Sequence, residues 1–156
     1  MIKFLKIYLI LLFVILITGC SYKPILSKQN YDFSVEKVEL NGDKEVNYII
    51  KERLINLKNQ NTKNKYYVQI ETSKIKNIIS NDSKGDPSKL EIIISSTFQI
   101  SNSEKLLIQR NVKMKNIYNN NSDKLKLKQY ELFIINNLSQ RISDSLISTI
   151  ININDN

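Results

Sequence analysis

The stretch Leu90-Glu91-Ile92-Ile93-Ile94-Ser95-Ser96-Thr97-Phe98-Gln99-Ile100 decides the fold. Leu90, Ile92, Ile94, Phe98 and Ile100 fall on one parity and Glu91, Ser95, Thr97 and Gln99 on the other. A period of two makes this a strand with one face on a core and one face in water. Ser101 to Glu104 is a polar hairpin connection, and the same alternation resumes in Leu106 to Tyr118. There Leu106, Ile108, Val112, Met114 and Tyr118 share one side, and Gln109, Asn111, Lys113 and Lys115 the other. Upstream, Tyr66, Val68, Ile70 and Thr72 begin a strand that reaches Ile79. Its later residues Ile75 and Ile78 or Ile79 fall out of register, which predicts a bulge. Phe33, Val35, Val38 and Leu40 make a first strand whose alternation slips between Val35 and Val38.

The strands are bracketed by helical spacing. Val46, Ile49, Ile50, Leu54 and Leu57 recur every three or four residues and predict a helix over Lys44–Lys58, with Lys51, Glu52, Arg53 and Lys58 on its wet side. Leu127, Ile134, Leu138, Ile142, Leu146 and Ile150 predict a second, long helix over Asp123–Ile151, longer than four short strands need for cover. An order of strand, helix, three strands, helix predicts an α+β two-layer sandwich. Two helices would pack on one face of a four-stranded mixed or antiparallel sheet, leaving the other face wet.

Ahead of this domain the chain changes character. Lys3 and Lys6 precede an uninterrupted apolar run, Ile7 to Ile17. That run is too short to span a hydrocarbon layer, which takes about 20 residues, and fits the hydrophobic part of an export signal. Leu16-Ile17-Thr18-Gly19-Cys20 then resembles the bacterial lipobox, in which the Cys thiol accepts lipid and becomes the new N-terminus. The expected organisation is a signal peptide at 1–19, a lipid-anchored stalk at 20–31 with Cys20 acylated, and a single domain at 32–156. Ser21 after the Cys resembles the pattern that sends lipoproteins to the outer membrane of Gram-negative bacteria.

Composition bounds the chemistry. There is no His, one Cys, three Gly and two Pro. These numbers leave no intramolecular disulfide and no His/Cys metal cluster, and they disfavour a Gly-rich phosphate loop. With Cys20 spent on lipid and no Ser-Lys or paired-carboxylate arrangement, no enzymatic activity and no cofactor are expected. The net charge of +8 would suit nucleic acid, but the basic residues are not interleaved with strand-centred aromatics, and an exported protein does not meet nucleic acid.

Gly19-Cys20-Ser21-Tyr22-Lys23-Pro24-Ile25 and the β-α-β-β-β-α order together resemble the outer-membrane lipopolysaccharide-assembly lipoprotein family, LptE. The family's opening reads Cys-Gly-Tyr/Phe-x-Pro-Leu, so Ser21 and Ile25 depart from it. Arg110 in the last strand, the Tyr118 stop and the final helix running toward Leu146 extend the similarity over nearly all of residues 20–156. The resemblance implies a plug inside the lumen of the β-barrel translocon LptD, on the periplasmic side of the cell outer membrane. Such a plug helps the barrel assemble and helps lipopolysaccharide reach the outer leaflet. The alternative is another outer-membrane lipoprotein acting as an assembly adaptor or periplasmic chaperone.

Candidate ligand contacts are Arg110, Lys113, Lys115 and Lys105, since guanidinium and ammonium groups suit the phosphates and acidic sugars of lipopolysaccharide. Arg110 lies on the apolar parity, so it must be paired, for instance with Glu91, turned outward by a bulge, or open at the sheet edge. Lys74 and Lys76 form a similar pair on the second strand. All of these lysines equally fit an ordinary solvated face. Candidate partner contacts are Tyr22 and Pro24 in the stalk and Asp82, Lys84, Asp86 and Pro87 in the longest turn-rich loop. That loop lacks the ligand spacing and terminal Glu of a calcium site.

Overall fold

The computed structural model describes residues 32–55, 57, 62–103 and 105–155. Within them run β1 (Phe33–Gly42), α1 (Lys44–Ile55), β2 (Asn64–Asn81), β3 (Pro87–Ser101), β4 (Leu106–Asn119) and α2 (Lys124–Asn154). The strands form one sheet in sequence order. β1 is parallel to β2, while β2, β3 and β4 are antiparallel. A parallel pair requires a crossover, and α1 supplies it. Both helices pack on one face, so the fold is the expected α+β two-layer sandwich with a mixed sheet.

The alternation in β3 is realised as expected. Leu90, Ile92, Ile94, Phe98 and Ile100 are buried against Val46, Ile50 and Leu54 of α1 and Leu138, Ile142, Leu146 and Ile150 of α2 in a common core. The slip in β1 is a register shift between Val35 and Lys37. It returns Val38 and Leu40 to the helix side opposite Val68 and Ile70.

β2 departs from expectation. Its pairing with β3 runs unbroken from Tyr67 to Ile78, and register shifts follow at Ile78/Ser80 and Ser80/Asn81, so the expected bulge falls at Ile79 and not before Ile75. No bulge turns Ile75 inward. It stays on the helix-free face, half exposed and opposite Ile93, while Lys74 and Lys76 keep the helix-side parity of Val68 and Ile70. Ion pairs with the helices make those inward lysines tolerable.

The strands are also longer than expected, which accounts for the length of α2. β2 has 18 residues and α2 has 31. At about 3.3 Å and 1.5 Å per residue these span roughly 60 Å and 46 Å, so the helix does not outrun the sheet. Asp123 caps α2 by accepting from the Leu125 and Lys126 amides. Asp43 caps α1 in the same way, accepting from Glu45 and Val46. Of the helix expected to reach Lys58, the described part ends at Ile55, with Leu57 buried in a turn and Lys58 outside the described residues.

Candidate functional site

The helix-free face of the sheet is graded along its length. At one end Glu39, Gln69, Gln99 and Gln109 lie in register across all four strands. The Gln69 amide donates to Glu39 at 2.9 Å. The next row is Glu71, Thr97 and Asn111, with the Asn111 amide donating to Thr97 at 2.9 Å. Glu39, Gln69, Gln99, Glu71 and Thr97 of these rows line a shallow depression of about 190 Å³. Farther along come Ser73, Ser95 and Lys113, then Ile75, Ile93 and Lys115, then Asn77, Glu91 and Ile117. Amides and hydroxyls thus give way to lysine and isoleucine toward the end that carries the β2–β3 loop. Glu91 is buried although it faces away from the helices, and its partner is the Lys115 ammonium at 3.5 Å.

Arg110 lies on the opposite side of the sheet from Lys113 and Lys115. It belongs to edge strand β4, is exposed, and donates from Nη1 to the Thr149 hydroxyl of α2 at 3.2 Å. The open edge and this bond are what the apolar parity demanded, and Glu91 is not its partner. Lys105 is exposed in the β3–β4 turn, where its backbone closes the turn with Asn102. Ten residues separate it from Lys115 along β4, roughly 30 Å of strand. The four basic candidates therefore do not converge on one site; Lys113 and Lys115 alone share a face.

Lys74 and Lys76, expected as a solvated pair, instead anchor the helices. Lys74 Nζ lies 2.6 Å from Glu45 and 3.3 Å from Asp43. Burial pulls its pKa down, but the two carboxylates outweigh that and hold it above the ordinary lysine value. Lys76 Nζ and the Tyr118 hydroxyl both donate to Glu131 Oε1 of α2, at 2.5 and 2.7 Å. Burial would raise the Glu131 carboxyl, yet these two donors hold it below its usual value. Burial and the neighbouring Glu131 push the Tyr118 phenol well upward, so it stays a proton donor. Arg53, expected on the wet side of α1, is half-buried and pairs with Asp144 of α2. None of these partnerships is readable from periodicity, which assigns a face and not a neighbour.

In the β2–β3 loop the Asp82 carboxylate accepts from the Lys84 and Asp86 amides at 2.8 and 3.0 Å. Gly85 takes a positive φ of 88°. Asp82 is thus committed to holding its own loop, while Lys84 and Asp86 are exposed. Pro87 opens β3, and its carbonyl accepts from the Asn120 amide at 2.7 Å. Cys20, Tyr22 and Pro24 lie outside the described residues. A further surface was not anticipated. β1 pairs with β2 only as far as Gly42 opposite Thr72, so Ser73–Asn81 has no strand on that side among the described residues. Also among them, no group of three or more His, Cys, Asp or Glu side chains could hold a metal ion.

No family model matches the chain, and no curated protein matches it. Solved structures do share its fold. Rare lipoprotein B from Shewanella oneidensis superposes with a TM-score of 0.55 at 18% identity, over 76% of this chain and 98% of that one. A minor lipoprotein from Acinetobacter baumannii gives 0.51 at 14% identity, over 72% and 91%. Lipoprotein B from Nitrosomonas europaea gives 0.50 at 12% identity, over 78% and 88%. The fold of this chain is one that small bacterial lipoproteins adopt.

Proposed function

We propose that this chain is an outer-membrane lipoprotein, exported by residues 1–19 and held by lipid on Cys20, whose domain plugs the lipopolysaccharide-transport barrel LptD and helps it assemble. No catalytic step is involved. The observation that carries the reading is the helix-free sheet face. Its rows of Gln, Glu, Thr, Asn and Ser present donors and acceptors on a rigid, two-layer support. A transmembrane barrel has a polar interior, so a body that enters it needs a polar face. The lipobox, the Cys20–Pro24 opening and a fold shared with lipoproteins of other Gram-negative bacteria support the same reading. Lys113 and Lys115 are then the cations on that face which meet lipopolysaccharide phosphates, and Lys84 and Asp86 reach the barrel from the loop.

The assembly-adaptor reading is favoured by one observation, the unpaired β2 edge at Ser73–Asn81, which offers backbone groups to an added strand. Purification of the tagged full-length protein from detergent-solubilised envelopes separates the two. A large β-barrel in stoichiometric amount is expected, and its depletion should lower both folded barrel and surface lipopolysaccharide. A different stoichiometric partner, with both quantities unchanged, overturns the plug.

A further inference from the structure

The first half of α2 holds large apolar side chains in solvent. Leu125 is 67% exposed, Phe133 64% and Tyr130 50%. The aromatic rings pack on one another and on one core residue. Tyr130 sits edge-on to the buried Tyr118 at 6.1 Å and stacks on Phe133 at 6.3 Å. Leu125, Gln129 and Phe133 follow one another at four-residue spacing, and Tyr130 adjoins them, so the apolar groups share one outward strip.

Lysines lie beside and within that strip. Lys124, Lys126 and Lys128 are all exposed. Lys126, four residues before Tyr130 and seven before Phe133, shares their face, and Lys128 borders the cleft toward α1 with Glu45, Lys74 and Leu132. The first turn of α2 contains no acidic residue. Cations there oppose the positive end of the helix dipole, so they weaken the helix and are not explained by its stability. The nearby acids are already engaged: Asp123 caps the helix and lies 3.6 Å from Lys126, and Glu131 is held by Lys76 and Tyr118.

A strip of Leu125, Tyr130 and Phe133 with Lys126 on the same face and Lys124 and Lys128 at its edge matches a helix lying in a lipid–water interface, where the rings reach the acyl boundary and the ammonium groups snorkel to the headgroups. A second copy of the chain would bring like charges together. We propose that the first half of α2 docks side-on to an anionic phospholipid surface through Leu125, Tyr130 and Phe133, with Lys124, Lys126 and Lys128 selecting the charge. This surface is on the helix layer, opposite the sheet face assigned to the barrel. Loss of either assignment leaves the other standing.

The chain contains no Trp, so Phe133→Trp introduces a unique emitter at an exposed position. The full-length variant is reconstituted into vesicles of phosphatidylcholine alone or mixed with phosphatidylglycerol. In the mixed vesicles its emission should shift to the blue and be quenched by brominated acyl chains. Both effects should fall by more than half on adding salt or the triple substitution K124E/K126E/K128E. Gln109→Trp, on the opposite sheet face, should remain unquenched. Equal quenching in the two vesicle types overturns the anionic assignment. Absence of quenching overturns docking altogether. A blue shift that grows with protein concentration without lipid quenching assigns the strip to a second copy and also overturns the proposal.

Discussion

Thr72 shows how much a single residue can organise. Its hydroxyl accepts from the Asp43 amide at 3.1 Å and donates to Asn47 at 2.7 Å, while its carbonyl accepts from the Asp43 amide at 3.3 Å. Gly42 passes so close that an added Cβ would sit 1.8 Å from that carbonyl oxygen, and its φ is 98°. Gly42→Ala should therefore lower unfolding stability by more than about 2 kcal/mol. Gly85→Ala has the same backbone strain in open space and should cost only about 1 kcal/mol. Urea titration of both variants measures the contrast. The sequence marks Asn41-Gly42-Asp43 as a turn, but the contact with Thr72 exists only because β1 returns beside β2. Glu131 carries the pH dependence at this scale. Its folded-state pKa is depressed, so its contribution is present above the unfolded value and is lost as pH falls through the folded one. Stability should decline below about pH 4.3, the ordinary glutamate value. Glu131→Gln should be less stable at neutral pH, with a shallower acid decline in urea midpoint.

At the scale of elements, hydrophobic periodicity located every strand and both helices because each buries one face. It is incomplete in β2: the expected bulge comes at Ile79, after Ile75 has already taken the helix-free face, and the lysines on the helix-side parity find partners on the helices. The residues beyond Thr72 obey the strand period, but their polarity is inverted by ion pairs from α1 and α2. A pattern read from polarity alone cannot anticipate partners that arrive from another element. Arg110 is the counterpart on β4: its parity was read from the sequence, and only the packing of α2 supplied Thr149. The cap of α2 gives a local test. Asp123→Ala removes the acceptor for the Leu125 and Lys126 amides and should cost about 0.5–2 kcal/mol in chemical denaturation.

For the whole molecule, two layers leave two unlike surfaces. The sheet face is polar in rows at one end and lysine and isoleucine at the other, whereas the outer side of the first half of α2 is aromatic and cationic. The plug reading predicts that K113E/K115Q keeps the fold, since Lys113 is exposed and a glutamine amide leaves the buried Glu91 carboxylate a donor in place of the Lys115 ammonium. The pair should nevertheless lower lipopolysaccharide bound to the purified protein several-fold. A far-ultraviolet spectrum and urea midpoint close to wild type, together with unchanged binding, would remove those lysines from the site. The sequence offers Arg110, Lys105, Lys113 and Lys115 as ligand contacts, with Arg110 already on the other parity. Their separation follows from strand parity and strand length: one residue changes the face, and ten residues move a side chain some 30 Å.

By itself the sequence determined the layer architecture, the faces of β3 and β4 and the β1 slip. Period and composition are local properties, and a chain that must bury one face of each element leaves few arrangements. Only the tertiary structure decided that β1 runs parallel to β2 and stops at Thr72, that Lys74, Lys76 and Arg53 tie helices down, and that the first half of α2 keeps Phe133 and Tyr130 in solvent. Those outcomes depend on which surfaces meet across tens of residues, and long-range packing settles that after local preference has formed the elements.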